Sequence, residues 1–343
     1  MLDYKKTGTF LASKRKQAQM TQADVAQKLG VSFQAVSKWE NGTLPFPEIP
    51  HPVLVLKSEE PGSKQKLAME YGYSESICHD MINHLVNDIM VVGARPLAVL
   101  DTIVCGSAEK ETIKSFIKGI SDACRENGCS LVGGETSIQP QVVEKGVYVL
   151  TSSIAGILSK DKVIDGSGIT EGDTVLAIAS NGLHTNGYSL VRMLMDQMPQ
   201  IKLEKIDGET FIEQIMKPHT TYRNAIRNLL ECPGIHGMAH ITGGGIQGNL
   251  CRILPDGLYA DIDLSKIKTL PIFRYIQRIG NIDEAEMLST FNCGVGLIVV
   301  VSERYAEQAI RNIAKYHDCY EIGRIRKGSG KVLFRNSVNW ESL

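Results

Sequence analysis

Four prolines within ten residues, at positions 45, 47, 50 and 52, place the strongest constraint on how this chain folds. Proline lacks a backbone N–H, fixes φ and disfavours a helical conformation in the residue before it, so no helix continues through them. Residues 43–52 are therefore predicted to form an extended linker. Because 343 residues suffice for two or three domains, we divide the chain at this linker.

The segment before the linker, residues 1–42, carries a net charge of +4, whereas the rest of the chain carries −5. Three short helices are predicted in it, at 9–19, 21–29 and 32–40. Thr21 and Asp24 have the spacing of a capping box, Gly30 is placed to end the second helix, and Ser32 can cap the third. A small basic helical domain favours nucleic acid as a partner.

The run from Thr21 to Gly42 resembles the Cro/C1-type helix-turn-helix family, with apolar residues where two short helices must pack around a tight turn. The resemblance implies an all-α head, residues 1–42, that binds DNA and inserts its second motif helix into the major groove. The predicted DNA-contacting residues are Gln22, Phe33, Gln34, Ser37 and Lys38, and Lys14 and Arg15 also suit phosphate oxygens. The alternative is a helical hairpin used for dimerisation or domain docking.

From residue 53 onward, strand-like and helix-like patterns alternate, which predicts α/β or α+β layering. A break near 160–172 divides this body into two predicted subdomains, residues 53–160 and 161–343. Strands are predicted at 53–56, 97–104, 147–157, 175–179, 258–263, 294–301 and 320–324. Helices are predicted at 78–92, 111–127, 189–198, 218–230, 246–254, 271–279, 283–289 and 304–316.

The chain contains eight cysteines and no C-x-x-C pair, so neither a disulfide framework nor a cysteine zinc site is predicted. Reduced and mostly buried thiols are expected instead. The longest apolar run, near 297–301, has the length of a strand, and the N-terminus has no apolar signal-peptide core. A cytoplasmic protein without a membrane segment is the resulting expectation.

Four stretches of the body contain residues suited to binding phosphate and metal. Asp88 is a carboxylate on an otherwise apolar helix, and Glu135 follows two glycines at the end of a strand predicted to be buried. His184 lies in a loop of small and polar residues. His240 precedes a glycine-rich loop that opens the helix predicted from residue 246. Each stretch alone has an ordinary alternative, a solvated helix residue or a plain turn.

Residues 53 to about 334 resemble the aminoimidazole ribonucleotide (AIR) synthetase family, the phosphoribosylformylglycinamidine cyclo-ligases. The matching stretches, in order, are C-H-D-M-I-N-H-L-V-N-D-I-M-V-V-G-A-R-P-L, C-S-L-V-G-G-E-T, D-K-V-I-D-G-S, S-N-G-L-H-T-N-G-Y-S-L-V-R, G-M-A-H-I-T-G-G-G, G-N-I-D-E-A-E-M and T-F-N-C-G-V-G. The resemblance implies a two-subdomain α/β fold, a homodimer, and ATP and Mg²⁺ in a cleft. It also implies ATP-dependent ring closure of formylglycinamidine ribonucleotide, a purine intermediate.

The resemblance also assigns the site residues. Those implied for metal are Asp88 and Glu135, and those implied for catalysis are His184 and His240. Those predicted to bind ATP or phosphate are Lys64, Gly133, Gly134, Asn186, Thr242, Gly243 and Gly244.

Two regions depart from the family pattern. Residues 59–64, E-E-P-G-S-K, stand where the family has D-G-V-G-T-K, and the head and linker replace a glycine-rich segment. Three hypotheses follow: an active cyclo-ligase with a DNA-binding head, a transcriptional regulator whose body senses a purine intermediate or nucleotide without turnover, or an enzyme of the same superfamily with another substrate.

Overall fold

The computed structural model describes residues 4–29, 32–42, 49, 51–328 and 331–341. The chain forms two compact units, residues 1–53 with 158–161, and residues 54–157 with 162–343. No helix in the described ranges is long and apolar enough to cross a membrane. All eight cysteines lie within them as free thiols, and six are buried, as predicted.

The described part of the head contains three helices, α1 (Tyr4–Gln17), α2 (Gln22–Leu29) and α3 (Phe33–Glu40). The capping box is confirmed, because the N–H of Asp24 donates to Thr21 Oγ1 and the N–H of Thr21 donates to Asp24 Oδ2. Ser32 caps α3 through the N–H of Ala35, also as predicted. Gly30, predicted to end the second helix, lies outside the described residues, as do Val31 and most of the predicted linker, 43–48 and 50.

Two mixed sheets form the body. Its strands are β1 (Pro52–Glu59), β2 (Arg95–Cys105), β3 (Ser130–Ile138), β4 (Tyr148–Ser159), β5 (Thr174–Ala179), β6 (Lys205–Ile206), β7 (Glu209–Thr210), β8 (Ile235–His240), β9 (Leu258–Asp263), β10 (Val295–Val301), β11 (Cys319–Lys327) and β12 (Val332–Arg335). The first sheet has four strands in the order β1-β4-β2-β3, with β2 parallel to β3 and antiparallel to β4. The second has the order β12-β9-β11-β5-β10-β8, and β6 pairs with β7. The predicted mixed α/β class is confirmed.

The body helices cover these sheets. They are α4 (Lys64–Glu70), α5 (Ser76–Met90), α6 (Lys110–Glu126), α7 (Tyr188–Gln197), α8 (Phe211–Ile215), α9 (Arg223–Leu229), α10 (Gly245–Leu250), α11 (Pro271–Gly280), α12 (Glu284–Thr290) and α13 (Ala306–Ile313). Helix α5 contacts β2 and α6 contacts β3. Inward-facing β2 residues such as Val99 and Ile103 are fully buried. One face of the four-stranded sheet is thus covered by helices.

The opposite face of that sheet carries apolar side chains that nothing in the described chain covers. Leu54 and Leu56 on β1 are 63% and 75% exposed, and Leu100 on β2 and Val132 on β3 are 53% and 62% exposed. Alternation along a strand places successive side chains on opposite faces, so these residues share the side facing away from α5 and α6. We call this surface the outer face.

The helix predicted from residue 218 begins only with α9. The N–H of His219 donates to Asp80 Oδ1 at 2.7 Å, and the N–H of Tyr222 donates to Asn87 Oδ1 at 2.9 Å. Both acceptors belong to α5, which therefore holds the segment before α9 in a non-helical path. Long-range side-chain bonds replace the local helical ones here.

Two further predictions are corrected. The stretch around Gly133–Glu135 does not end a buried strand, because it lies inside the exposed edge strand β3. The helix predicted at 246–254 is the shorter α10, and a turn follows it. Strand β8, which ends at His240, was not predicted.

Candidate active site

The main candidate site is a pocket of about 630 Å³ between β1, α5 and the loop after β8. Asp88, Asn186, His240, Thr242 and Gly243, all predicted from the sequence, line it together. The pocket is also lined by Glu59 of the altered 59–64 stretch and by four residues that were not predicted as site residues, Lys57, His84, Asp165 and Arg252. The pocket therefore brings together carboxylates, imidazoles and cationic groups from distant parts of the chain.

Asp88 is the most strongly engaged group in the pocket. Its Oδ1 lies 2.7 Å from His240 Nδ1, and its Oδ2 lies 3.2 Å from Lys57 Nζ and 3.6 Å from His84 Nε2. Burial alone would raise the pKa of Asp88. The hydrogen bond from His240 and the nearby Lys57 ammonium outweigh burial and hold that pKa well below its usual range. Asp88 is thus an anion poised for a cation.

Glu59 strengthens this negative wall. Lys57 Nζ lies 3.0 Å from Glu59 Oε2, so one ammonium bridges the carboxylates of Glu59 and Asp88. Both carboxylates remain partly exposed to the pocket. Glu59 belongs to the altered 59–64 stretch, and its longer side chain still reaches the pocket. Two carboxylates that share one cation, the Lys57 ammonium, are placed to share Mg²⁺ in its stead, since Mg²⁺ prefers oxygen ligands.

Four histidines surround the inner wall of the pocket, and we call them the histidine cluster: His84, His184, His219 and His240. His219 Nε2 lies 2.9 Å from His240 Nε2, and His184 stacks on His219 with ring centroids 3.9 Å apart. Burial and the nearby His240 lower the pKa of His84 to about 4. Burial and the neighbouring imidazoles lower the pKa values of His184 and His219 well below the usual value. These three rings are therefore neutral near pH 7.

His184 differs from the other predicted site residues because it lies behind the pocket wall. It is almost fully buried, and within the described residues neither of its ring nitrogens has a hydrogen-bond partner. Its backbone φ is +60°, a region that residues other than glycine rarely occupy. His184 therefore lies one ring behind the pocket wall, stacked on His219, whose Nε2 contacts Nε2 of His240.

Lys64 also lies away from the pocket. Its side chain is fully buried, with Nζ 2.8 Å from Asp80 Oδ1, 2.7 Å from the carbonyl of Lys217 and 3.1 Å from the carbonyl of His184. All three of its donor hydrogens thus have partners. A contact with ATP phosphates, as predicted, would require these bonds to break.

Gly133, Gly134 and Glu135 are not part of this pocket. Glu135 pairs in register with Thr102 on β2, which shares the outer face with Leu100, whereas α5 and Asp88 lie on the covered side. Within one chain, the four-stranded sheet therefore separates Glu135 from Asp88. Gly134 instead faces Asp101, and a Cβ added to it would lie 2.0 Å from Asp101 Oδ1. Gly244, also predicted to bind phosphate, lines a neighbouring surface pocket beside α12.

Comparison with known proteins identifies the body. The AIR synthase related N-terminal and C-terminal domain models match residues 54–158 and 170–336, and a helix-turn-helix model matches residues 11–47. A phosphoribosylformylglycinamidine cyclo-ligase of Bacillus cytotoxicus is 41% identical and covers 84% of both chains. The enzyme of that name from Methylobacillus flagellatus is 42% identical, covering 88% of this chain and 85% of its own. The chain belongs to the phosphoribosylformylglycinamidine cyclo-ligase family.

A solved structure supports the fold of this cyclo-ligase-like body. The hydrogenase maturation protein HypE in complex with ATP aligns with a TM-score of 0.60 at 18% identity, covering 82% of this chain and 81% of its own. At that identity the likeness concerns the fold alone.

In the head, the predicted DNA-contacting residues fall into two groups. Phe33, Gln34 and Lys38 on α3 are exposed, and Ser37 is partly exposed. Gln22 instead donates from its amide to Glu40 Oε2 at 2.8 Å. Arg15 also binds Glu40 through two N–H groups, so both side chains stabilise the head internally. A phosphate contact by either would compete with these bonds.

Proposed function

We propose that the body binds ATP, Mg²⁺ and formylglycinamidine ribonucleotide in the 630 Å³ pocket and closes the imidazole ring, while the head binds DNA. The proposal rests above all on Asp88, held ionised by His240 and Lys57 at the pocket wall. The more than 40% identity to a named cyclo-ligase along most of the chain supports the same substrate. The pocket volume falls in the range of small-molecule sites.

The carboxylates of Asp88 and Glu59 would hold Mg²⁺, which neutralises phosphate charge when bound. Asn186, Thr242 and Arg252 supply donors for phosphate or substrate oxygens at the same wall. Asp88 accepts a hydrogen bond from His240 Nδ1 and so fixes the orientation of that ring at the pocket wall. Ring closure driven by phosphorylation depends mainly on positioning and charge neutralisation, which this arrangement provides.

The deciding experiment incubates the purified full-length protein with formylglycinamidine ribonucleotide, ATP and Mg²⁺ and assays aminoimidazole ribonucleotide. Turnover comparable to that of ordinary cyclo-ligases is expected. Absence of turnover, together with thermal stabilisation by ATP or the ribonucleotide, would contradict catalysis and favour the second candidate, a ligand-sensing regulator. That candidate is favoured by the altered 59–64 stretch, in which Lys64 is locked in a buried ion pair.

DNA binding by α3 is part of the same proposal. Replacing Gln34 and Lys38 by alanine is expected to abolish sequence-specific binding in a mobility-shift assay, because both side chains are exposed on α3. Lys28→Ala, on α2, removes the same charge and serves as the matched control, which should retain specificity. Unchanged specificity in the double variant would exclude α3 as the reading helix.

A homodimer through the outer face completes the proposal. Contiguous exposed apolar residues mark interaction surfaces, and paired heads read palindromic half-sites. Leu56→Glu is expected to convert the dimer to a monomer in analytical ultracentrifugation. Leu203→Glu, at a residue 81% exposed elsewhere on the body, should remain dimeric. A dimeric Leu56→Glu protein would place the interface elsewhere.

Free, mostly buried thiols fit the reducing cytoplasm as the compartment.

A further inference from the structure

The histidine cluster has chemistry that ring closure with Mg²⁺ does not use. One ring nitrogen from each of His184, His219 and His240 lies within 4.8 Å of the others, and all three side chains are buried. Three imidazoles without an oxygen ligand suit Zn²⁺ and similar transition metals rather than Mg²⁺ or Ca²⁺. This group therefore differs in chemical preference from the carboxylate pair of Asp88 and Glu59.

The hydrogen bonds around His240 orient it as a ligand. Its Nδ1 lies 2.7 Å from Asp88 Oδ1, and an ionised carboxylate can only accept, so the ring proton is on Nδ1. The lone pair is then on Nε2, directed at His219 Nε2, 2.9 Å away. A carboxylate bonded to the far nitrogen of a histidine is the arrangement that commonly supports metal-ligating histidines.

His219 and His184 can also supply ring nitrogens, but their rings stack with centroids 3.9 Å apart, so one of them must rotate for both to bind the same ion. His219 Nδ1 lies 3.5 Å from Thr185 Oγ1, so a proton moved there has an acceptor when Nε2 binds the metal. Within the described chain, His184 is buried without a hydrogen-bond partner for either nitrogen, an arrangement that is costly unless something binds there.

We propose that His184, His219 and His240 form a binding site for a Zn²⁺-class transition metal ion, separate from the carboxylate pair proposed for Mg²⁺. Three protein nitrogens leave a fourth coordination position for water or a ligand atom. Because His240 forms part of the pocket wall, the ion can enter from the pocket.

The test titrates the untagged, chelator-stripped full-length protein with Co²⁺, followed by its visible absorption, and with Zn²⁺, followed by metal content and Tm. One equivalent of Co²⁺ with the intense absorption of a low-symmetry site, and a Zn²⁺-dependent rise in Tm, are expected. His219→Asn and His219→Gln should each weaken Co²⁺ binding by on the order of 100-fold or more, since loss of a supporting partner alone costs about 10–100-fold.

His236→Asn is the matched control, because His236 is also a histidine paired with an aspartate, Asp173 at 2.7 Å, but lies outside the cluster. It should bind Co²⁺ like the unaltered protein. Failure of the unaltered protein to bind Co²⁺ or Zn²⁺ would overturn the proposal, even if both His219 variants failed to fold. Unchanged Co²⁺ affinity in a folded His219 variant would overturn it equally. Cyclo-ligase turnover measured with Mg²⁺ alone is a separate result, so either proposal can fail without the other.

Discussion

Helix α5 and strand β3 both carry residues predicted to bind metal, yet their polar groups have opposite environments. On α5, Asp80, Asn83 and Asn87 are buried and bonded to residues 217–222 or to a cation. On β3, Gly133, Gly134 and Glu135 are exposed at the sheet edge. Side-chain chemistry alone therefore does not define a site, because the α5 residues are held by distant segments.

Helix α5 and strand β3 are also stabilised by different interactions. The N-terminal part of α5 is stabilised by buried polar pairs such as Lys64–Asp80. Removing one partner of such a pair leaves the other buried without compensation. The β3 edge depends mainly on backbone pairing with β2 and on the space that its glycines leave for neighbouring side chains. Substitutions on α5 should thus have larger effects than substitutions on β3.

The largest effect is expected for Lys64→Met on α4, which removes the cation paired with Asp80 of α5. The fully buried Asp80 would lose its cation, and breaking such a pair costs about 3–5 kcal/mol of unfolding free energy. Lys66→Met, on an exposed residue of the same helix α4, is the control and should cost less than about 0.5 kcal/mol. Urea unfolding at pH 7.5 measures both. Equal unfolding free energies for Lys64→Met and the unaltered protein would show that the Lys64–Asp80 pair does not stabilise the fold.

The pH dependence of this variant follows from Asp80. Burial, only partly opposed by Lys64, raises the pKa of Asp80 to about 6 in the folded protein, above its unfolded value. A raised folded pKa means that stability is greatest below the unfolded pKa and declines as the pH rises through the folded one. Without Lys64 the pKa of Asp80 is raised further. The loss of unfolding free energy in Lys64→Met, relative to the unaltered protein, should therefore be smaller at pH 5 than at pH 7.5. A deficit independent of pH would point to lost packing instead.

A smaller effect, on catalytic turnover, is expected for Asp88→Asn near the C-terminal end of α5. Neutralising the group that pairs with Lys57 and His240 should lower turnover by about 10²–10³-fold, the usual loss when one electrostatic stabiliser is removed. Steady-state kinetics at saturating Mg²⁺ provide the measurement. Asp122→Asn, in an exposed ion pair on α6, is the control and should retain full turnover. A loss below tenfold in Asp88→Asn would exclude Asp88 as a metal ligand.

Much of the fold was predictable because its signals are local. The apolar strands β5 and β10, the strand β9 and the caps at Thr21 and Ser32 depend on residues close in sequence. The gathering of Asp88, Asn186 and His240 in one pocket was predicted through family resemblance. Periodicity alone could not have brought together residues about 50 to 150 positions apart.

The remainder could not be predicted for a physical reason. Lysine is normally solvated, and Lys64 becomes buried only because its partners include carbonyls 120 and 153 residues away. His84 and His219 join the cluster from separate segments, so no local spacing indicates them. One signal was available: polar residues at 80, 83, 84, 87 and 88 repeat at helical spacing and form a second, functional stripe on α5.

The smallest effect tests β3 itself. The paired glycines were predicted to bind ATP or phosphate, but in the structure Gly134 makes room for Asp101. A Cβ at Gly134 would lie 2.0 Å from Asp101 Oδ1 and 2.5 Å from its carbonyl, whereas a Cβ at Gly133 would meet only Leu100 at 3.5 Å. Gly134→Ala should therefore cost about 1–3 kcal/mol of unfolding free energy, as overpacking does, and Gly133→Ala should be close to neutral. Chemical unfolding of the two variants, with ATP affinity measured in parallel, distinguishes the roles. If Gly133→Ala weakens ATP binding without loss of stability, β3 does take part in ligand binding. The ligand would then be held by a second chain that packs on the outer face. In that case β3 would differ from α5 because its binding site forms only when two chains assemble.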